Sequence, residues 1–263
     1  MPSDFEILSH AASLLESGRK LVLCIVVEKN GSGPRDVGAK MLVDEDGAVF
    51  GTIGGGNVER ALVDESLKAI KQGKSKTVTF NLSKNPKDGT VGTGMICGGE
   101  LTVLADVIEP TARLVIVGAG HISLPLARLA STAGFKVVII DDEVKLASKE
   151  RFPMAEKILA GDYAQVLSAF PFSSNDHVVI AHGEPEHDYT ATKNVIGKNV
   201  AYIGLLGSQT KAKIVSERLR AEGFSEEQMK LLHAPLGLDI GAETPEEIGI
   251  SILAEIIKTK RKR

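Results

Sequence analysis

Two kinds of hydrophobic pattern divide the chain. From residue 113 onward, short apolar runs alternate with segments of helical spacing, beginning with residues 114–117. That run lacks the polar alternation of a half-exposed strand, which favours a strand buried on both faces of a parallel sheet. Further apolar runs occur at 135–140, 157–160, 176–182 and 199–208. Strands that alternate with helices predict a Rossmann-like parallel α/β domain over residues 112–263.

The first part of the chain has a different pattern. Ser3 and Glu6 form a capping box before a helical stripe, and an apolar strand follows at 21–27. Two short apolar runs flank the turn at 44–47 as a hairpin, and Asn57 is expected to cap a helix that continues to Gln72. Hairpins and helices that do not alternate regularly predict a separate α+β domain over residues 1–108.

A glycine turn follows the first apolar run of the C-terminal half. Gly118 and Gly120 occupy the first two positions of a dinucleotide-binding fingerprint, and Ser123 stands at the third. Asp141 lies about 20 residues further on, where an acid would contact a ribose hydroxyl. This spacing predicts a nucleotide, NAD(P) among the candidates, at the edge of the sheet. An NAD(P)-dependent oxidoreductase is therefore one function that these residues allow, and it stays the alternative to the function given below.

Other polar residues are expected at the same edge, because ligands of doubly wound sheets bind outside the carboxyl ends of strands. His182 and His187 follow the run at 176–182, and Gly207 and Ser208 end the run at 199–208. The histidines can bind a metal, contact a ligand or form only hydrogen bonds, and the sequence supplies no evident third metal ligand.

Glycines concentrate in the N-terminal half. Thirteen of the 27 glycines lie in residues 31–56 and 89–99. Successive glycine amides at a helix N-terminus can bind an anion, and the Arg35 guanidinium can bind phosphate or carboxylate. The alternative is that these glycines serve only tight turns and that Arg35 pairs with a surface acid.

The two cysteines lie in different contexts. Cys24 is in the middle of an apolar strand, which predicts a small buried side chain. Cys97 lies between glycine-rich turns, where a thiol can be exposed and partly ionised. It can bind a metal, carry sulfur or act as a nucleophile, or it can simply fill a crowded turn.

Composition narrows the classes of protein. A chain of 263 residues with 43% hydrophobic composition suits two domains. The net charge of −3 gives no indication of nucleic-acid or membrane binding. The sequence has neither a long apolar run nor a signal-like N-terminus, so a cytoplasmic protein is expected. Two cysteines cannot form a disulfide framework.

Taken together, the motifs resemble the XdhC/CoxI family of xanthine dehydrogenase accessory factors. The resemblance spans nearly the whole chain. It is carried by segments in a fixed order: Gly31-Ser-Gly-Pro-Arg35, Thr52-Ile-Gly-Gly-Gly56 with Glu59, Cys97-Gly-Gly99, Gly118-Ala-Gly-His121, Tyr202-Ile-Gly-Leu-Leu-Gly-Ser208 and Pro235-Leu-Gly-Leu-Asp-Ile-Gly-Ala-Glu-Thr-Pro-Glu-Glu-Ile248. Gly33 and Gln209-Thr210 depart from the residues common in the family.

The resemblance implies a carrier and chaperone. Such a protein binds molybdenum cofactor (molybdopterin), protects it during sulfuration and delivers it to an apo molybdenum hydroxylase such as xanthine or CO dehydrogenase. The resemblance also suggests a homodimer, and a cysteine desulfurase is a further candidate partner. The expected cofactor-binding residues are Pro34, Arg35, Gly54, Gly55, Gly56, Glu59, Cys97, Gly98, Gly118, Gly120, His121, Asp141, His182, Gly207, Ser208 and Asp239. Cys97 is in addition a candidate molybdenum ligand.

A third possibility is a cytidylyltransferase for the same cofactor. That activity requires a phosphate-binding loop near the start of the domain with a basic side chain on the triphosphate. The sequence has no glycine-rich loop before residue 31.

Overall fold

The computed structural model describes residues 1–82, 90–92 and 99–261. The predicted sites Cys97 and Gly98 lie outside the described residues. The chain forms two compact units, Met1–Pro110 and Thr111–Arg263. The first contains a largely antiparallel sheet and the second a parallel sheet, so the predicted α/β class with a Rossmann-like C-terminal domain is confirmed.

The N-terminal unit is an α+β domain. Its elements are α1 (Asp4–Glu16), β1 (Leu21–Asn30), β2 (Lys40–Asp44), β3 (Val49–Gly51), α2 (Gly56–Gln72), β4 (Lys76–Asn81), β5 (Val91–Gly92) and β6 (Glu100–Ile108). The sheet order is β3-β2-β1-β6-β4-β5, and β1 pairs antiparallel with both β2 and β6. The hairpin around residues 44–47 is present as predicted.

Helix α2 packs its apolar residues on this sheet and covers a core that comes mainly from the strands. Val58 and Leu62 are fully buried against strand residues that include Cys24. Burial raises the pKa of the Cys24 thiol to about 11, so this cysteine is the buried side chain that the sequence predicted. The prediction of an Asn57 cap was wrong: α2 begins at Gly56, and Gly55 is its N-cap without a side-chain hydrogen bond.

The C-terminal unit alternates strands and helices. Its elements are β7 (Arg113–Val117), α3 (Ser123–Thr132), β8 (Lys136–Asp141), β9 (Lys157–Ala160), α4 (Tyr163–Ala169), β10 (Asp176–Ile180), α5 (Pro185–Val195), β11 (Tyr202–Leu205), α6 (Gln209–Ala221), α7 (Glu226–Met229), β12 (Leu232–His233) and α8 (Pro245–Arg261). The sheet order is β12-β11-β10-β7-β8-β9, and its recorded pairings are parallel. The short strand β12 was not predicted.

The strand order fixes where this unit can bind a ligand. Leu114 and Ile116 of β7 face one core, and Val115 and Val117 face the other, which explains the uninterrupted apolar run. The chain leaves β7 toward β8 on one side and later returns to β10 on the other. The carboxyl ends of β7 and β10 therefore flank the topological switch point, where ligands of such sheets bind. None of the helices in the described residues has the length and apolar character needed to span a membrane.

Candidate functional site at the edge of the parallel sheet

The turn after β7 is packed against the backbone that leaves β10. Gly118 has φ +102°, and a Cβ atom there would lie 2.5 Å from the amide nitrogen of His182 and 2.6 Å from the carbonyl carbon of Ala181. Only glycine fits this position. A Cβ atom on Gly120 would meet nothing closer than the Ala181 oxygen at 3.9 Å, so Gly120 has room. His121 is exposed on the same turn.

Two polar side chains brace this turn from within the protein. Asp141, at the end of β8, is buried, and its carboxylate accepts hydrogen bonds from the amides of Ala119 at 2.5 Å and Glu143 at 2.8 Å. The Ser123 hydroxyl donates to the Gly118 carbonyl at 2.6 Å. A contact between Asp141 and a ribose stays a prediction, because in this structure the carboxylate binds the backbone of its own domain.

The more accessible acid at this edge is the next residue, Asp142, and two histidines face it. His182 Nε2 lies 3.3 Å from Asp142 Oδ1, and His187 Nε2 lies 3.2 Å from Asp142 Oδ2. The imidazole rings stack with their centroids 4.4 Å apart. Asp142 follows β8, His182 follows β10, and His187 lies in the first turn of α5. The fold thus joins three side chains from two distant parts of the chain.

Tyr163 forms the buried floor of this cluster. Its ring packs edge to face against both imidazoles, with centroid distances of 5.6 Å to His182 and 5.9 Å to His187. Burial raises the pKa of Tyr163 well above its usual value, and the nearby carboxylates of Asp141 and Asp142 raise it further. The phenol is therefore neutral at physiological pH and holds the two rings in place.

The loop that carries His182 is fixed by a buried ion pair. Asp188 is fully buried and accepts hydrogen bonds from the amides of His182 at 3.1 Å and Gly183 at 3.2 Å. Lys211 of α6 pairs with the same carboxylate. Ser208 caps α6 by accepting from the Lys211 amide at 3.2 Å. A Cβ atom on Gly207 would lie 2.5 Å from Lys211 Cδ. Gly207 thus leaves room for the Lys211 side chain, and Ser208 binds the Lys211 backbone amide.

The predicted site residue Asp239 is exposed in the segment between β12 and α8. The same segment is anchored by Glu255 of α8, which accepts from the Gly237 amide at 2.7 Å and the Tyr202 hydroxyl at 2.8 Å. His233 Nδ1 lies 2.9 Å from Glu255. Burial raises the pKa of Glu255, but hydrogen bonds from His233, Tyr202 and Gly237 outweigh burial and lower it.

In the N-terminal unit, a carboxylate binds the glycine loop before α2. Glu59 accepts hydrogen bonds from the amides of Ile53 at 3.1 Å, Gly54 at 3.2 Å and Gly55 at 2.8 Å, and from the Thr52 hydroxyl. Burial raises the pKa of Glu59, but these hydrogen bonds outweigh it and lower the pKa. The protein thus supplies its own anion to the amides of Gly54 and Gly55.

The glycine motifs of this unit nevertheless come together. A Cβ atom on Gly54 would lie 2.4 Å from the Pro34 ring, and one on Gly99 would lie 2.2 Å from the Ser32 carbonyl oxygen. These contacts place the loop at 31–35 beside both the loop at 52–56 and the residue that follows Gly98. Gly55 and Gly56 have positive φ and open space where a side chain would be.

Arg35 borders a small pocket beside these loops. Lys40 and Thr52 also line this pocket, and Lys40 pairs with Asp4 at 2.7 Å. Arg35 donates to the Met1 sulfur, and among the described residues its guanidinium has no ion pair within 4.0 Å. The arrangement leaves one cation available to an anionic ligand.

Asp142, His182 and His187 together form what we call the sheet-edge cluster. Sequence reasoning missed one of these residues, Asp142. His182 and His187 were recognised as candidates, but their third partner lies 40 residues before His182. The available signal was the acidic pair 141–142 at the end of an apolar run. The strand order β10-β7-β8 was needed to bring that run close to the histidines.

Comparison with known proteins agrees with the sequence motifs. The family model described as the XdhC Rossmann domain matches residues 114–256, which is more than half of the chain, and the model described as the XdhC and CoxI family matches residues 14–81. The chain belongs to the XdhC/CoxI family. The prediction made from the motifs is therefore confirmed.

Curated relatives extend this assignment along the chain. The protein is 36% identical over 255 residues to YqeB of Escherichia coli K12, covering 97% of this chain and 46% of YqeB. It is 38% identical over 156 residues to a probable xanthine dehydrogenase subunit of Bacillus subtilis 168, covering 59% of this chain and 45% of that protein. The chain thus spans about half the length of these two relatives.

Two further relatives are comparable to this family member in length. It is 23% identical over 285 residues to the molybdenum cofactor insertion chaperone PaoD of E. coli K12, covering 97% of this chain and 88% of PaoD. A solved structure titled as a xanthine dehydrogenase from Bacillus halodurans matches 100% of this chain and 97% of its own, with 25% identity and a TM-score of 0.52. The matched architecture thus includes both units.

Proposed function

We propose that this family member is an accessory protein that binds molybdenum cofactor for a molybdenum hydroxylase. The proposal includes protection of the cofactor during sulfuration and delivery to the apo enzyme. Its main support is the similarity, over 97% of the chain, to a protein named as a molybdenum cofactor insertion chaperone. A homodimer, a cysteine desulfurase partner, a cytoplasmic location and a bound nucleotide remain predictions.

The glycine loops of the N-terminal unit fit the phosphate of the pterin. A terminal phosphate requires a cation and amide donors that are close to open space. Arg35 supplies a guanidinium that has no ion pair within 4.0 Å among the described residues, and Gly55 and Gly56 border open space. The amides of Gly54 and Gly55 already bind Glu59, so Arg35 carries most of the expected recognition.

The C-terminal unit supports a carrier better than a dehydrogenase. An NAD(P) enzyme of this fold uses an acid at the end of the second strand for the ribose. Here Asp141 is buried and binds the backbone amides of Ala119 and Glu143. The partly exposed polar side chains at this sheet edge are instead those of Asp142, His182 and His187.

The test is direct binding of the cofactor. We would mix the protein with molybdenum cofactor released from a purified hydroxylase, remove the unbound cofactor by gel filtration, and measure retained molybdenum and oxidised pterin fluorescence. Loss of one charge-assisted contact costs about 1.5 to 3 kcal/mol, so Arg35→Ala should bind about 10 to 100 times more weakly. Lys71→Ala, which removes an exposed cation in the last turn of α2, should bind like wild type.

Two results would contradict the proposal. One is a wild-type protein that retains no more molybdenum and pterin than an unrelated protein. The other is sustained oxidation of NADH with carbonyl substrates, which would support the oxidoreductase instead. Equal binding by wild type and a folded Arg35→Ala variant would remove Arg35 from the site.

A further inference from the structure

We propose that Asp142, His182 and His187 form a binding site for a divalent transition-metal ion, with Zn²⁺ as the best fit. The three residues each offer one ligand atom, and these atoms lie within 4.8 Å of one another. Two imidazoles and one carboxylate are a ligand set that zinc accepts, and three protein ligands leave a fourth position for water or another small ligand. This inference does not depend on molybdenum cofactor binding.

The distances are close to those of a zinc site. Zinc bonds to nitrogen and oxygen of about 2.0 Å in a tetrahedron place neighbouring ligand atoms about 3.3 Å apart. Each imidazole Nε2 already lies 3.2 or 3.3 Å from an Asp142 oxygen. The three ligand atoms all lie within 4.8 Å of one another, so coordination requires them to approach by at most about 1.5 Å. The side chains are 16 to 39% exposed, so an ion can enter from solvent.

A metal site explains the arrangement of these three side chains better than an ordinary pair of hydrogen bonds does. Asp142 Oδ1 is a buried atom without a hydrogen bond in the described residues. His182 Nε2 therefore approaches Oδ1 at 3.3 Å without forming a well-directed hydrogen bond to it. Buried polar atoms normally have partners, and a metal ion would satisfy Asp142 Oδ1.

The surroundings resemble the outer shell of a metal site. Glu184 Oε2 lies 3.0 Å from His187 Nδ1, the imidazole nitrogen that would not bind the metal. A metal-bound histidine commonly contacts a carboxylate through this second nitrogen. The buried carboxylate of Asp188 fixes the His182 loop, and Tyr163 orients both rings. Metal binding also requires a proton on His182 Nδ1, so the 3.4 Å contact from the Glu184 amide to that atom would open.

The experiment is a titration of the full chain with Zn²⁺ in competition with a chromophoric chelator, repeated with Co²⁺ to record its visible spectrum. We expect one ion per chain and a tetrahedral cobalt spectrum. Loss of an outer-shell partner costs about 10- to 100-fold in metal affinity. Asp142→Asn and His187→Gln should weaken binding by at least about 100-fold, and Glu184→Gln by about 10-fold.

Matched controls test the position of the ion. Glu186→Gln removes an exposed carboxylate from the pocket that Asp142 and His187 also line, and His10→Gln removes an exposed histidine from the N-terminal unit. Both should bind zinc like wild type. Circular dichroism checks folding, and if Asp142→Asn fails to fold, His182→Gln replaces it.

Two outcomes would overturn the site. The first is equal zinc affinity in wild type and in folded Asp142→Asn and His187→Gln variants. The second is loss of zinc binding in Cys97→Ser while the Asp142→Asn variant still binds, which would assign the ion to a thiol. Neither outcome bears on molybdenum retention, which is measured separately.

Discussion

The two carboxylates Glu59 and Asp142 make an informative comparison. Glu59 lies beside a glycine loop and accepts hydrogen bonds from three backbone amides and one hydroxyl of that loop. These donors of the loop therefore have partners within their own domain. Asp142 lies at the edge of the parallel sheet, where two imidazoles approach it and its buried Oδ1 has no hydrogen bond within the described part of the chain. The two sites differ in whether the protein satisfies its own polar atoms.

The difference shows how far a glycine-rich motif indicates a ligand. Glycine is required at position 54 because a Cβ atom would lie too close to Pro34. It is required at position 118 because a Cβ atom would lie too close to the backbone of Ala181 and His182. Their main role is therefore packing of the protein against itself. At the sheet edge, the polar atoms that remain available for a ligand belong to Asp142, His182 and His187, which no short motif joins.

The largest effect is expected from the ion pair that supports the sheet-edge cluster. Asp188→Ala leaves Lys211 largely buried without its partner and frees the amides of His182 and Gly183. Breaking a buried pair in this way costs about 3 to 5 kcal/mol. Urea unfolding should measure that loss, and zinc affinity should fall with it.

The control is Glu186→Ala, since Glu186 is exposed and its ion pair with Arg218 lies at the surface. Its unfolding curve should match that of wild type. Equal stability of the Asp188→Ala variant would show that the His182 loop is not held by this pair.

An intermediate effect is expected within the turn at 118–120. Gly118→Ala would require a side chain at positive φ and within 2.6 Å of backbone atoms, at a cost of about 2 to 4 kcal/mol. Gly120→Ala meets only an ordinary contact and should change the free energy of unfolding by less than about 1 kcal/mol. Thermal or urea unfolding of the pair tests this, and equal losses would contradict the packing role of Gly118.

The smallest effect is expected at the glycine loop and depends on pH. Hydrogen bonds lower the pKa of Glu59 in the folded protein, so its stabilisation is complete above the unfolded-state value and is lost as pH falls through the lowered value. Glu59→Gln should cost about 1 to 2 kcal/mol at pH 7, allowing for partial exposure. The difference from wild type should shrink below about pH 4. Urea titrations across this range check it, and a difference that stays constant with pH would contradict the role of the charge.

Much of the fold follows from local patterns. The apolar run before Gly118 predicted a strand buried on both faces. At the start of α8, Thr244 and Glu247 form the reciprocal hydrogen bonds of a capping box, which is a local pattern of the same kind. The Asn57 cap failed because the glycines before it adopt positive φ and begin α2 earlier. Short edge elements such as β12 were missed because pairing with β11 determines them, and their own sequence pattern does not.

By itself the sequence determined the family, the α/β class and the residues of the glycine turns, because these depend on local periodicity and on motifs in a fixed order. Only the tertiary structure decided what those residues contact. It directed Glu59 onto the glycine amides, buried Asp141 against Ala119, and brought Asp142 to His182 and His187. The physical reason is that strand order places distant segments at one sheet edge, and local periodicity does not contain that order.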